Sequence, residues 1–220
     1  MKMKTLAVAA GVSAPLIMTA VSDAGFVGVK TTWKKNNFGL LVVNFYAVFD
    51  RPGEDHMVAV TGTPKHPLFI KVLGGTLYNH SFGSDLAPNA AFLPVFPSLA
   101  FDTFVTIGKK NSAGDTTLIS PGFPPLTGSI VSTIAAGWSI TPDNPQGNPF
   151  DPANSFPGNS QILIAQFSTA DGIDIEMKMV LQFVSNGEPG QVFVNTFAPA
   201  PGALALLGFG GLICARRRRR

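Results

Sequence analysis

The chain has 220 residues and a formal charge of +3, but that charge is carried by its two ends. Without Lys2, Lys4, Arg216, Arg217, Arg218, Arg219 and Arg220, Lys+Arg falls from 16 to 9, and without Asp23, Asp+Glu falls from 13 to 12, leaving the intervening chain near −3. Charge therefore implies no nucleic-acid partner for the body, and because the one cysteine, Cys214, also lies in the tail, the body can hold neither a disulfide nor a thiolate metal site.

Residues 1–24 have the form of a secretory signal peptide. Lys2 and Lys4 give a charged start, and residues 6–21 supply an apolar stretch broken by Pro15, which argues against a retained membrane helix. Ser22 and Ala24 are small residues at the two positions a signal peptidase reads, so cleavage is expected between Ala24 and Gly25.

Residues 25–197 then form one domain, long enough to bury about 70% of its unfolded surface. It shows no sustained helical period. Apolar and β-branched runs are separated by Gly, Pro, Asn and Asp clusters, which predicts an all-β fold, an antiparallel β-sandwich of jelly-roll-like or Ig-like kind with long Pro/Gly-rich loops. Strands are expected over 26–33 and 39–49. The second is apolar on both alternating sets of positions and so belongs at the centre of a sheet. A turn follows at 50–56, then strands at 57–61 and 68–73, and a hairpin from Gly74-Gly75 to His80.

Residues 81–102 hold Pro88, Pro94 and Pro97 with Phe92, Phe96 and Phe101, and predict a long loop packed by its own aromatics. Loops of this length are usually functional or flexible. Strands are expected at 104–107 and 116–119, with loops at 121–125 and 142–159 and a short strand carrying Trp138 at 137–141. The clearest hairpin signal joins 161–169, through Asp171-Gly172, to an alternating arm in which Ile173, Ile175, Met177, Met179, Leu181 and Phe183 face one side. A final strand spans 192–197.

No Gly-x-Ser-x-Gly elbow, His-Glu-x-x-His or phosphate-binding glycine loop occurs, and no enzymatic activity is expected. His56, His66 and His80 fall in separate turns. Asp174 and Glu176 share a strand face with Lys178, which reads as a solvated charged stripe rather than a catalytic pair. Asp143 and Asp151, with Asn144 and Asn154, offer the hard oxygens that calcium takes, yet their spacing matches no calcium loop and Asx-turn chemistry explains the same residues. Carbohydrate platforms would come from Trp33, Trp138, Tyr46 or Tyr78, which are few against 18 Phe.

The tail reads FAPAPGALALLGFGGLICARRRRR over residues 197–220. Pro199 and Pro201 set the earliest start of a helix, so the apolar segment from Gly202 to Ala215 spans roughly 20 Å against a hydrocarbon core of about 30 Å. That is short for a permanent anchor. Arg216, Arg217, Arg218, Arg219 and Arg220 then form a stop that stays cytoplasmic and leaves the prolines on the outer face. A nucleic-acid arm has no need of the apolar run, a GPI-type tail has no need of the arginines, and a sortase signal would carry Leu-Pro-x-Thr-Gly.

This order of breaker, short apolar segment and basic cluster resembles the PEP-CTERM sorting signal of exosortase substrates. Ala200 stands where the family's name motif has Glu, and Gly-Ala-Leu-Ala-Leu-Leu-Gly follows as in related tails. The resemblance covers residues 198–220 as a sorting signal and implies an exported bacterial protein, a processing protease of exosortase type as partner, and transient membrane anchoring. It also implies a place at the cell surface or in the extracellular matrix, with a structural or adhesive role tied to exopolysaccharide and biofilm. A secreted carbohydrate-binding module or hydrolase on the same scaffold is the alternative. No cofactor is expected.

Overall fold

The structure, a computed structural model, describes residues 11–13, 25–51, 53–170 and 174–198. Ala24, the Asp171-Gly172 turn and the sorting tail from Pro199 to Arg220 lie outside the described residues. Those that are described form an all-β fold of two antiparallel sheets with two short 3-10 helices, Pro97–Phe101 and Pro145–Gly147.

The first sheet runs in the order β1 (Gly11–Ser13), β2 (Phe26–Lys35), β3 (Leu40–Phe49), β10 (Gln161–Ala170) and β6 (Phe104–Val105). β3 sits between β2 and β10 and buries residues on both faces, as its apolar run, interrupted only by Asn44, requires. β1 falls inside the expected signal peptide, so processing would leave β2 at the sheet edge.

The second sheet is centred on β11 (Asp174–Ser185). One side of β11 pairs along its length with β12 (Glu188–Ala198). The other side pairs first with β5 (Leu68–Leu73) and then with β4 (Asp55–Thr61). β9 (Gly137–Ser139) and β7 (Leu118–Ile119) extend it beyond β4, and β8 (Ile130–Thr133) extends it beyond β5. Along β11 the buried residues Ile175, Met177, Met179, Leu181 and Phe183 alternate with Asp174, Glu176, Lys178 and Gln182, the expected half-wet strand. Lys178 and Glu176 pair at 2.9 Å on its solvent side, and the Lys178 ammonium lies over the Phe69 ring.

A smaller cluster gathers Tyr46, Ala87, Phe104 and Leu163, while the main core joins the two sheets. Phe45, Phe49 and Phe167 come from the first, Met57, Ile70, Met177 and Trp138 from the second, each worth about 1.5–3 kcal/mol or more of burial.

Three expectations are corrected. β10 and β11 do not pair: they belong to different sheets, because β10 is buried on both faces and takes a place between β3 and β6. The hairpin is instead β11–β12, turning at Asn186 and Gly187 with φ of 52° and 78°, the left-handed pair a two-residue turn demands. No hairpin runs from Gly74 to His80, since β5 pairs with β8 and β11, and Leu77 bridges Thr169 of β10. His56 is not in a turn but on β4.

Candidate functional site

The connection between β5 and β6 is the long aromatic loop, and one buried acid holds it. Asp102 follows the 3-10 helix Pro97–Phe101 and is 0% exposed. Its Oδ1 accepts the His80 N–H at 2.8 Å and its Oδ2 accepts the Ser84 N–H at 3.2 Å. Gly83 must be glycine, because a Cβ there would stand 1.8 Å from Asp102 Oδ2. Burial pushes the Asp102 carboxyl above its usual range, opposed by the N–H groups of His80, Thr103 and Ser84 and by the His80 ring. From β10, the Gln166 amide donates to the carbonyls of Ala100 and Asp102 at 3.0 and 2.8 Å. The loop is thus fixed at both ends and tied in between, where the Asp85 and Pro88 carbonyls accept the Val105 and Ser112 N–H groups at 2.9 Å, so what it presents to solvent is side chains.

Those side chains are aromatic. The Phe82 and Phe96 rings lie 4.7 Å apart at 30°, with His80 beside both. Phe82 is 55% exposed, and Phe92 and Val95 are exposed on the same loop. At the β2–β3 turn, Phe38 is 67% exposed and rests its ring 6.0 Å from that of Phe101. This loop and turn therefore present apolar rings to solvent.

His80 and Ser98 approach within 3.0 Å, a spacing that invites a nucleophile–base reading. The Phe82 N–H, however, donates to His80 Nδ1 at 3.1 Å. In the neutral ring the proton then sits on Nε2, which donates to Ser98 Oγ rather than removing its proton. Asp102 contacts the His80 backbone, not the imidazole Nδ1 that an orienting acid would hold.

The other sequence candidates are dispersed. His66 stacks on Phe193 at 4.3 Å, and His56 lies on β4. Among the described residues no group of three or more His, Cys, Asp or Glu is placed to hold a metal ion. Of the calcium candidates, Asp143 is exposed, and Asp151 Oδ1 takes the Ala153 N–H at 2.7 Å in an Asx turn. Asn144 caps the helix Pro145–Gly147 through the Gln146 N–H, and Asn154 accepts from Phe156 and donates to Gln161. Trp138 is a core residue rather than a platform.

Three polar centres escaped the sequence reading. Asp102 is one. Gln146, buried, is another: its Oε1 accepts the Thr116 N–H and hydroxyl, while its Nε2 reaches Asp115, Thr117 and the Ile107 carbonyl, clamping the loop of residues 142–159 to the chain after β6. The third surrounds Gly25, the first residue after the expected signal cut. The Gly25 N–H donates to Ser185 Oγ at 3.2 Å, and Ser185 donates to Asp55 Oδ1 at 2.5 Å. Each depends on partners distant in sequence, so only an isolated acid or amide near turn residues was visible beforehand. No protein-family model matches the chain, and neither a curated protein nor a solved structure is found to match it.

Proposed function

We propose that the chain is an exported protein of the cell surface or extracellular matrix, sorted by an exosortase-type system, with a structural or adhesive and non-enzymatic role. The observation that carries this reading is the tail, with Pro199-Ala200-Pro201, a short apolar segment and five arginines in that order. Support comes from the placement of β12: it ends at Ala198, itself buried, so a cut beyond the prolines removes no described strand. The exposed Phe38, Phe82 and Phe92 give such a protein a sticky face, and the direction of the His80–Ser98 bond fits a non-catalytic one. The two sheets are read here as a β-sandwich of jelly-roll-like or Ig-like kind. Exopolysaccharide is the partner this role implies.

Intact-mass measurement of the protein recovered from its own host tests the reading. The expected species starts at Gly25 and lacks the arginines, while a chain still ending in Arg220 would overturn it.

The alternative, a carbohydrate-binding module, draws on the exposed Phe82 ring, which is backed by the half-buried ring of Phe96 at 4.7 Å. Saturable binding of the exported protein to a defined glycan, abolished by Phe82→Ala, would establish it; binding to none would remove it.

A further inference from the structure

We propose that Asp55, Ser185 and the Arg51 backbone form a built-in receptor for the chain's own α-ammonium, which comes into being when the signal peptide is removed before Gly25. The proposal rests on the export reading and adds what the new terminus does.

Asp55 is 0% exposed, an expensive place for a carboxylate. Its described hydrogen bonds are two, from the Arg51 N–H to Oδ2 at 2.9 Å and from the Ser185 hydroxyl to Oδ1 at 2.5 Å. An ionised carboxylate accepts about four, so capacity is left over. Among the described residues no side-chain cation forms an ion pair with it.

Gly25 is pressed against this acid. A Cβ added there would stand 2.3 and 2.8 Å from the two carboxylate oxygens and 2.9 Å from Arg51 Cγ, so no side chain fits. Bond geometry then puts the Gly25 nitrogen within about 5 Å of the carboxylate. The residue is fixed from both sides. Its carbonyl accepts the Asp50 N–H at 2.9 Å, and the next ring, Phe26, packs on Phe49 and Phe183.

In the uncut chain that nitrogen is a neutral amide with one N–H, spent on Ser185. Hydrolysis adds water across the Ala24–Gly25 amide: the C–N bond breaks, the Ala24 carbonyl becomes a carboxylate, and the Gly25 nitrogen takes up protons to become an ammonium. The ammonium has three donors. One keeps the Ser185 contact, and the other two are available to Asp55, so the buried acid gains the cation it lacks.

The test uses the exported, processed protein. N-terminal sequencing first reads the cut, and a terminus other than Gly25 overturns the export boundary and the proposal together. With Gly25 confirmed, a limiting dose of an amine-acylating reagent is applied to the native and the urea-unfolded protein, and mass spectrometry of the N-terminal peptide follows modification. Because only the unprotonated amine reacts, each unit by which the ion pair raises its pKa slows acylation about tenfold. The expected result is native Gly25 reacting about tenfold or more slowly than in urea, with protection lost in Asp55→Asn and kept in Asp55→Glu. Equal rates in native and unfolded protein overturn the lock while leaving the export reading intact, as does protection that survives Asp55→Asn. If Asp55→Asn does not accumulate, Ser185→Ala serves: with Asp55 intact it retains protection under the proposal, and its complete loss of protection overturns direct pairing with the acid.

Discussion

The indole Nε1 of Trp138 donates to the backbone carbonyl of Thr106 at 3.1 Å, joining β9 of one sheet to the segment just past β6 of the other. Both residues are buried, and the Phe123 ring meets the indole edge-on. Replacing Trp138 with Phe keeps an aromatic ring but orphans the Thr106 carbonyl, at a cost of about 1–3 kcal/mol. Trp138→Ala adds a cavity and should cost about 3–5 kcal/mol. Urea unfolding followed by circular dichroism measures both, and equal stability of Trp138→Phe and the wild type would show that the bond contributes nothing.

Asp102 sets a pH dependence of definite sign. Its folded-state carboxyl titrates above the ordinary 3.8, so between that value and the raised one the native state holds more proton than the unfolded state. Its contribution to stability is therefore greatest at the acid end and is lost as pH climbs through the window. Asp102→Asn cannot titrate and turns an amide against the His80 or Ser84 N–H, costing about 1–3 kcal/mol. The wild-type advantage over Asp102→Asn should shrink with rising pH across that window. An advantage that grows with pH would reverse the assignment.

Gly187 carries φ of 78° in the two-residue turn between β11 and β12. Gly187→Ala forces a Cβ into left-handed backbone and should destabilise by about 1–2 kcal/mol, with hydrogen exchange rising first at the Ser185–Glu188 end of the ladder. Exchange rising uniformly over β12 would contradict this local origin.

The loop rings should act on surroundings rather than on folding. Phe82→Ser and Phe92→Ser remove exposed apolar area, so unfolding free energies should stay within about 0.5 kcal/mol of the wild type. Retention on a hydrophobic surface should fall for each variant. Unchanged retention of the double variant would remove the loop from the adhesive face.

Burial patterns written in contiguous residues were readable in advance. The two-sided apolar run of β3 placed it at a sheet centre, and the alternation of β11 gave its wet face. The partner of β11 was not readable from the nearest turn signal, because Asp171-Gly172 and Asn186-Gly187 both have hairpin chemistry and local composition does not choose between them. β8 was missed because it has four residues, of which Ile130 faces solvent. Asp55 and Asp102 draw meaning from Ser185, His80 and Ser84, contacts that only the closed fold creates.

The placement of β12 has a mechanical consequence. For a protein moored through its C-terminal end, drag enters at Ala198, which lies opposite Ile175 at the end of the ladder farthest from the Asn186–Gly187 bend. Tension directed along that strand loads the rungs to β11 in shear, all at once, instead of opening them in succession like a zipper. A rim strand that would be frail if peeled becomes a tether able to carry strain.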